Sequence, residues 1–283
     1  TQRYKCNDCG RQFVHDTAPS AETLWHAFAH EHATIPALVR RYGYSEKWIR
    51  TRLDEFNVPA YTPTPRTMVA VGDATWTHGS WMLVVRDPHA KENVYEKELF
   101  AETTASYQIA RRTLAVQGLH FAAFVGDGRL ATPFVFSDIP VQMCHFHQIQ
   151  IAIRYLTRRP DLLAGQELLA LVYTLPTTDK ESFVDAFHHW CRTWSDFLKE
   201  KSISPETGHA TFTHRRLRSA RASIAEHLDH LFTFQDYPDL HIPNTTNSLD
   251  GSFKKLKLAL GVHAGLSRTR KNKLIRSLLR AHE

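Results

Sequence analysis

Two apolar runs in this chain each end on an aspartate preceded by glycine: Met68-Val69-Ala70-Val71-Gly72-Asp73 and Phe121-Ala122-Ala123-Phe124-Val125-Gly126-Asp127. Runs this short, rich in β-branched and aromatic residues and closed by glycine, read as buried strands rather than helices. Further strands are expected at Trp81 to Arg86 and Val94 to Phe100, then a helix through Ser106 to Gln117, all between the two runs. The chain is therefore expected to be α/β. An aspartate after a strand ordinarily caps a turn or helix. Two of them at the ends of central strands point elsewhere, because adjacent carboxylates in a low-dielectric cleft must share a proton or bind a cation.

Three strands, a helix and another strand is the opening order of a ribonuclease H-like fold, whose mixed central sheet sets the first and fourth strands side by side. On that pairing Asp73 and Asp127 are neighbours. Mg²⁺ is the expected cation, with Mn²⁺ as a substitute, since hard ions prefer oxygen ligands and serve phosphoryl chemistry.

The amino-terminal third reads differently. Cys6 and Cys9 are separated by two residues and followed by Gly10, a spacing that lets both thiolates reach one Zn²⁺. This resembles half of a zinc ribbon, whose second cysteine pair would lie upstream of Thr1; an unmetallated knuckle is the alternative. With Cys144 and Cys191 standing alone, the four cysteines form no disulfide framework. Residues 20 to 57 show helical periodicity in three pieces, with Ser20, Thr34 and Ser45 as caps and Gly43 as a break. The pattern is a helix-turn-helix, in which Lys47, Arg50, Thr51 and Arg52 of the last helix would meet phosphates and base edges. A plain three-helix packing module is the alternative. Pro59, Pro63 and Pro65 mark an extended linker after it.

Two later segments carry a family resemblance. Gln142-Met143-Cys144-His145-Phe146-His147 resembles the Cys-x-x-His signature after the second Asp of bacterial insertion-sequence DDE transposases of the Mutator-like superfamily. Pro243-Asn244-Thr245-Thr246-Asn247-Ser248-Leu249-Asp250 resembles their Thr-Thr-Asn-x-x-Glu signature, with Asp250 where many relatives have Glu. The resemblance spans roughly Val69 to Leu260. It implies Asp73, Asp127 and Asp250 as catalytic, metal-binding carboxylates, with Cys144, His147 and Asn247 as further site residues. It also implies an all-helical insertion that positions transposon ends, and an assembly of at least a dimer on double-stranded DNA, both transposon ends and target.

Residues 148 to 233 indeed look helical throughout, and Trp190 and Trp194 at i, i+4 read as core. The expected organisation is a partial zinc ribbon at 1–16, a helix-turn-helix domain at 17–58, a linker at 59–66 and a ribonuclease H-like core at 67–147. The insertion at 148–240 and the last part of the core with a basic helix at 241–283 complete it. A net charge of +6 is modest, but it concentrates at Arg215, Arg216 and Arg218, at Lys254 and Lys257, and at Arg268 to Lys273, which suits a polyanion. Every apolar run is too short for a membrane span and nothing resembles a signal peptide, so a cytoplasmic, nucleoid-associated protein is expected. Two rivals to a transposase are a non-catalytic DNA-binding regulator, such as a domesticated transposase, and a ribonuclease H-like nuclease without joining activity.

Overall fold

Strand β3 (Arg66–Trp76) is buried without interruption from Met68 to Gly72, so both of its edges must be paired and both of its faces covered. In the computed structural model, which describes residues 3–14, 18–77, 79–128, 135–203 and 208–280, it is the centre of a five-stranded mixed sheet. The other strands are β4 (Trp81–Asp87), β5 (Glu92–Leu99), β6 (Leu119–Gly126) and β7 (Val141–Met143), in the order β5-β4-β3-β6-β7. The pairs β3–β4 and β4–β5 are antiparallel; β3–β6 and β6–β7 are parallel. Two antiparallel steps restore the direction of β3 in β5. The carboxyl ends of β3, β5, β6 and β7 therefore all lie along one end of the sheet.

Helix α4 (Thr104–Val116) joins β5 to β6 and covers one face, burying Tyr107, Ala110 and Leu114 against Met68, Ala70, Leu83, Val85 and Phe124. Gly72 is required by this packing, because a Cβ there would lie 2.7 Å from the Phe124 ring, itself stacked 3.9 Å from Phe136. Beyond β7 come α5 (His145–Leu156), α6 (Leu163–Tyr173), α7 (Lys180–Thr193), α8 (Arg215–Leu231) and the short α9 (Thr233–Asp236). They share a core that includes Leu168, Phe183, Phe187, Trp190, Ile224 and Phe232, and Met143 of β7 joins it. Trp190 is core as expected, with its Nε1 donating to the Ala164 carbonyl at 3.0 Å. The expectation of helix throughout 148–233 fails at one place. Strands β8 (Lys201–Ile203) and β9 (Ala210–Phe212) form a short antiparallel hairpin before α8. Its segment has Thr211, Phe212 and Thr213, which favour extended backbone, and Arg218 stacks 3.6 Å over the Phe212 ring.

Helices α1 (Ala21–Ala29), α2 (Ile35–Tyr42) and α3 (Glu46–Glu55) begin where the sequence places their caps. Ser20, Thr34 and Ser45 accept from the amides of Thr23, Ala37 and Trp48. Gly43 closes α2 at φ +74°, a left-handed conformation that glycine adopts without strain. Ahead of them, β1 (Arg3–Lys5) and β2 (Gln12–Val14) make a hairpin.

The described residues divide into two compact units, which fall within Thr1–Tyr61 with Lys254–Ala281, and within Thr62–Phe253. The expected core segment 241–283 is thus split inside α10 (Asn247–Val262), and α11 (Arg268–Arg280) groups with the amino-terminal helices. The reason is an apolar stripe on a helix the sequence shows mainly as basic. Leu274, Ile275 and Leu279 are buried, Trp25 Nε1 donates to Ser277 Oγ at 2.9 Å, and Arg270 forks onto Asp54 at 2.6 and 2.7 Å. His263 stacks on Phe28 in the same unit, its Nε2 bonded to the Phe28 carbonyl at 2.8 Å. Among the described residues no helix is long and apolar enough to cross a membrane.

Candidate active site

The parallel register of β3 on β6 pairs Val71 with Val125, and Asp73 and Asp127 each stand two residues further on. The pairing therefore brings the two expected carboxylates to one place. Asp127 is buried. Asp73 is partly buried, and its Oδ1 accepts the Ala74 amide at 2.8 Å. Burial pushes the Asp73 carboxyl up to about 7, the charges of Asp127 and Glu102 push the same way, and His147 and the Ala74 amide oppose them. Gly128, at φ +77°, turns the chain immediately after Asp127 so tightly that a Cβ would lie 2.2 Å from Met143 Sδ.

Glu102 was not singled out in the sequence. It sits between β5 and α4, at the sheet end where β3 and β6 also finish. Its Oε1 accepts the Tyr107 hydroxyl at 2.6 Å. Burial, then the charges of Glu102, Asp127 and Asp73, raise the Tyr107 phenol well above its ordinary range, so it stays a neutral donor. The available signal was topological: an acidic residue at the exit of a strand running parallel to β3.

Cys144 and His147 fall at the opening of α5, just after β7. Cys144 is fully buried. Burial pushes its thiol up, but pairing with His147 and contacts from Thr246 outweigh this and leave it below its ordinary range. For His147 burial acts downward, while Cys144, Asp73 and Asp127 together raise the imidazole to about 9. Among the described residues His147 is thus a cation that acts on the carboxylate pair, and its buried Nδ1 has no hydrogen-bond partner. His145 has a different task. It is buried, with its ring Nε2 bonded to the Leu231 carbonyl.

Asp250 lies in the first turn of α10, three residues after Asn247, with its side chain exposed. The stripe Leu249, Phe253, Leu256 and Leu260 is buried as expected, and Lys254 and Lys257 are exposed like Asp250. Asp250 is not among the groups that bear most on Asp73, which are His147, Asp127 and Glu102. Among the described residues no three His, Cys, Asp or Glu side chains stand close enough together to form a metal cluster. The pair Asp73 and Asp127 nevertheless fits Mg²⁺, an ion that protein carboxylates hold in ones and twos while water and substrate phosphate complete its shell. Burial is the first cause of the raised Asp73 pKa and the neighbouring Asp127 charge adds to it, and a bound cation would oppose both.

Of the expected DNA contacts, Lys47 and Thr51 project from α3 into solvent. Arg50 pairs with Glu46 at 2.6 Å, and Arg52 pairs with Glu55 at 2.8 Å and lies over Trp48. On α8, Arg215 is exposed, Arg216 donates to the Arg154 carbonyl and Arg218 to the Leu198 carbonyl. Those two arginines hold local structure as well as charge. Cys6 and Cys9 occupy the β1–β2 turn, where Cys6 N donates to the Arg11 carbonyl at 2.8 Å and Gly10 takes φ +71°. The amides of Cys9 and Asp8, with the Cys9 side chain, lower the Cys6 thiol, which favours the thiolate a metal would need. No protein-family model matches the chain, and no curated protein matches its sequence.

Proposed function

We propose that the protein is a DDE-type DNA transposase, binding transposon ends and catalysing metal-dependent strand cleavage and strand transfer. The observation that carries the reading is the parallel pairing of β3 with β6, which sets Asp73 beside Asp127 at the carboxyl end of a mixed sheet. The strand order β5-β4-β3-β6-β7, with α4 between β5 and β6, agrees with a ribonuclease H-like core. The helical segment between β7 and α10 takes the place of the expected insertion.

Asp73 and Asp127 would hold Mg²⁺ or Mn²⁺, with Asp250 as the third ligand, and the bound ion would activate the attacking oxygen and stabilise the leaving one. Asp73 must first release the proton that burial favours. His147 offsets the charge of the pair, and its unpartnered Nδ1 can donate to a phosphate oxygen. Tyr107 keeps Glu102 turned toward the same sheet end. In the other unit, α2 and α3 serve as a helix-turn-helix, α3 entering the major groove with Lys47, Arg50, Thr51 and Arg52. The Cys6–Cys9 knuckle supplies two of four ligands to Zn²⁺. Two transposon ends must meet, so the active form is at least a dimer, acting in the cytoplasm on nucleoid DNA.

The exposed position of Asp250 favours one second reading, a DNA-binding protein that retains recognition without catalysis. Product analysis separates the readings. Duplexes ending in the native element's termini, incubated with protein, Mg²⁺ and target plasmid, should yield joined strands. Nicked ends without joining would indicate a nuclease, and bound but uncut duplex the non-catalytic protein.

A further inference from the structure

We propose that Cys144 is a positioning residue, whose buried sulfur fastens the segment leading into α10 to the carboxylate end of the sheet and so fixes where Asp250 stands. The inference rests on the proposed function for its consequence, and on geometry alone for the clasp. Cys144 occupies the N-cap position of α5, yet its side chain makes no capping hydrogen bond there. The sulfur pairs with His147 and also reaches across to Thr246. It accepts the Thr246 amide at 3.3 Å and lies 3.5 Å from Thr246 Oγ1. Cys144 and Thr246 are both fully buried, so neither has water as an alternative partner.

The backbone on either side reinforces the joint. Cys144 N donates to the Gly126 carbonyl at 2.8 Å, which fixes the residue immediately before Asp127. His145 N, otherwise an orphan donor at the start of α5, donates to the Asn244 carbonyl at 2.9 Å. Thr246 O in turn accepts Leu249 N at 2.8 Å and opens the helix whose first turn holds Asp250. One residue thus links the strand end that delivers Asp127 to the helix start that delivers Asp250. The Cys-x-x-His and Thr-Thr-Asn segments, separate in sequence, are two halves of one joint. A free buried cysteine otherwise acts as a small hydrophobe. Here the sulfur accepts a main-chain donor, which alanine cannot do and serine can.

The test compares wild type with Cys144→Ala and Cys144→Ser in the full chain. Amide hydrogen exchange is followed across residues 244–249, and the Mn²⁺ concentration for half-maximal cleavage of terminal DNA is measured separately from the maximal rate. In Cys144→Ala, exchange across that segment should rise about five- to tenfold, the worth of one hydrogen bond. The Mn²⁺ midpoint should rise about tenfold, the usual cost of losing a group that orients a ligand. Cys144→Ser should recover most of both. Changes within about twofold in Cys144→Ala, or a folded Cys144→Ser as impaired as alanine, would overturn the proposal. Should Cys144→Ala fail to fold, Cys144→Val, which fills the space of the thiol but accepts no hydrogen bond, replaces it: a raised Mn²⁺ midpoint or faster exchange supports the clasp, and wild-type values overturn it. A wild-type protein without any metal-dependent cleavage would remove the proposed function, while the exchange measurement would still decide the clasp.

Discussion

At the scale of single residues, burial sets the protonation of the carboxylate pair and neighbouring charge acts second. The Asp73 carboxyl rises from its ordinary 3.8 to about 7, chiefly through burial. A raised folded-state pKa means that the native protein holds a proton the unfolded chain has released, so this contribution to stability is lost as pH climbs from about 4 through 7. His147, raised to about 9, adds a contribution present below its ordinary 6.5 and lost through 9. Metal-free protein should therefore unfold at lower urea concentration near pH 7.5 than near pH 5, and Asp73→Asn should shrink that difference; an unchanged difference would contradict the burial of this group. Cation binding must displace the same proton, so Mn²⁺ affinity measured by calorimetry should tighten as pH passes 7, with proton release. Gly72→Ala would force a methyl against Phe124 at 2.7 Å, and a cost of about 1–3 kcal/mol in denaturant midpoint is expected because the ring is held by Phe136. Asp73 and Asp127 were legible in the sequence because an apolar run ending on Gly-Asp is a local pattern. Glu102 and Tyr107 were not, since their place depends on how β5 lies two strands from β3, which no short segment encodes.

At the scale of elements, the sequence marked beginnings better than partners. The caps Ser20, Thr34 and Ser45 were readable because capping is a contact within one turn, and all three accept the expected amide. Ser45→Ala should cost about 1 kcal/mol of thermal stability and weaken DNA binding through fraying of α3. In α3, Lys47 is exposed without an ion pair on its own helix, whereas Arg50 must first release Glu46. Lys47→Ala should then lower the slope of log affinity against log salt by about one, the signature of one lost phosphate contact. An unchanged slope would remove α3 from the proposed DNA interface. The hairpin β8–β9 leaves no mark in the sequence, because three-residue strands carry too little periodicity to stand out from a helical background.

At the scale of the whole molecule, the chain crosses between its two units at Thr62 and again within α10, so the amino-terminal helices are completed by α11. The sequence could not show this, because the stripe Leu274, Ile275 and Leu279 is overlaid by basic residues and its partner Trp25 lies at the other end of the chain. A chain ending before Arg268 should expose Trp25, red-shift its fluorescence and lower the melting temperature of the helical unit by several degrees. The central claim is that Asp73 and Asp127, neighbours only because β3 lies parallel to β6, serve one phosphodiester reaction on DNA. Its most direct test is single-turnover cleavage of terminal DNA in Mg²⁺ by wild type, Asp73→Asn and Asp127→Asn, each verified as folded. Cleavage by wild type and a loss of at least about a thousandfold in both variants are expected; a folded Asp73→Asn or Asp127→Asn protein that cuts at the wild-type rate would contradict a shared role for the two carboxylates.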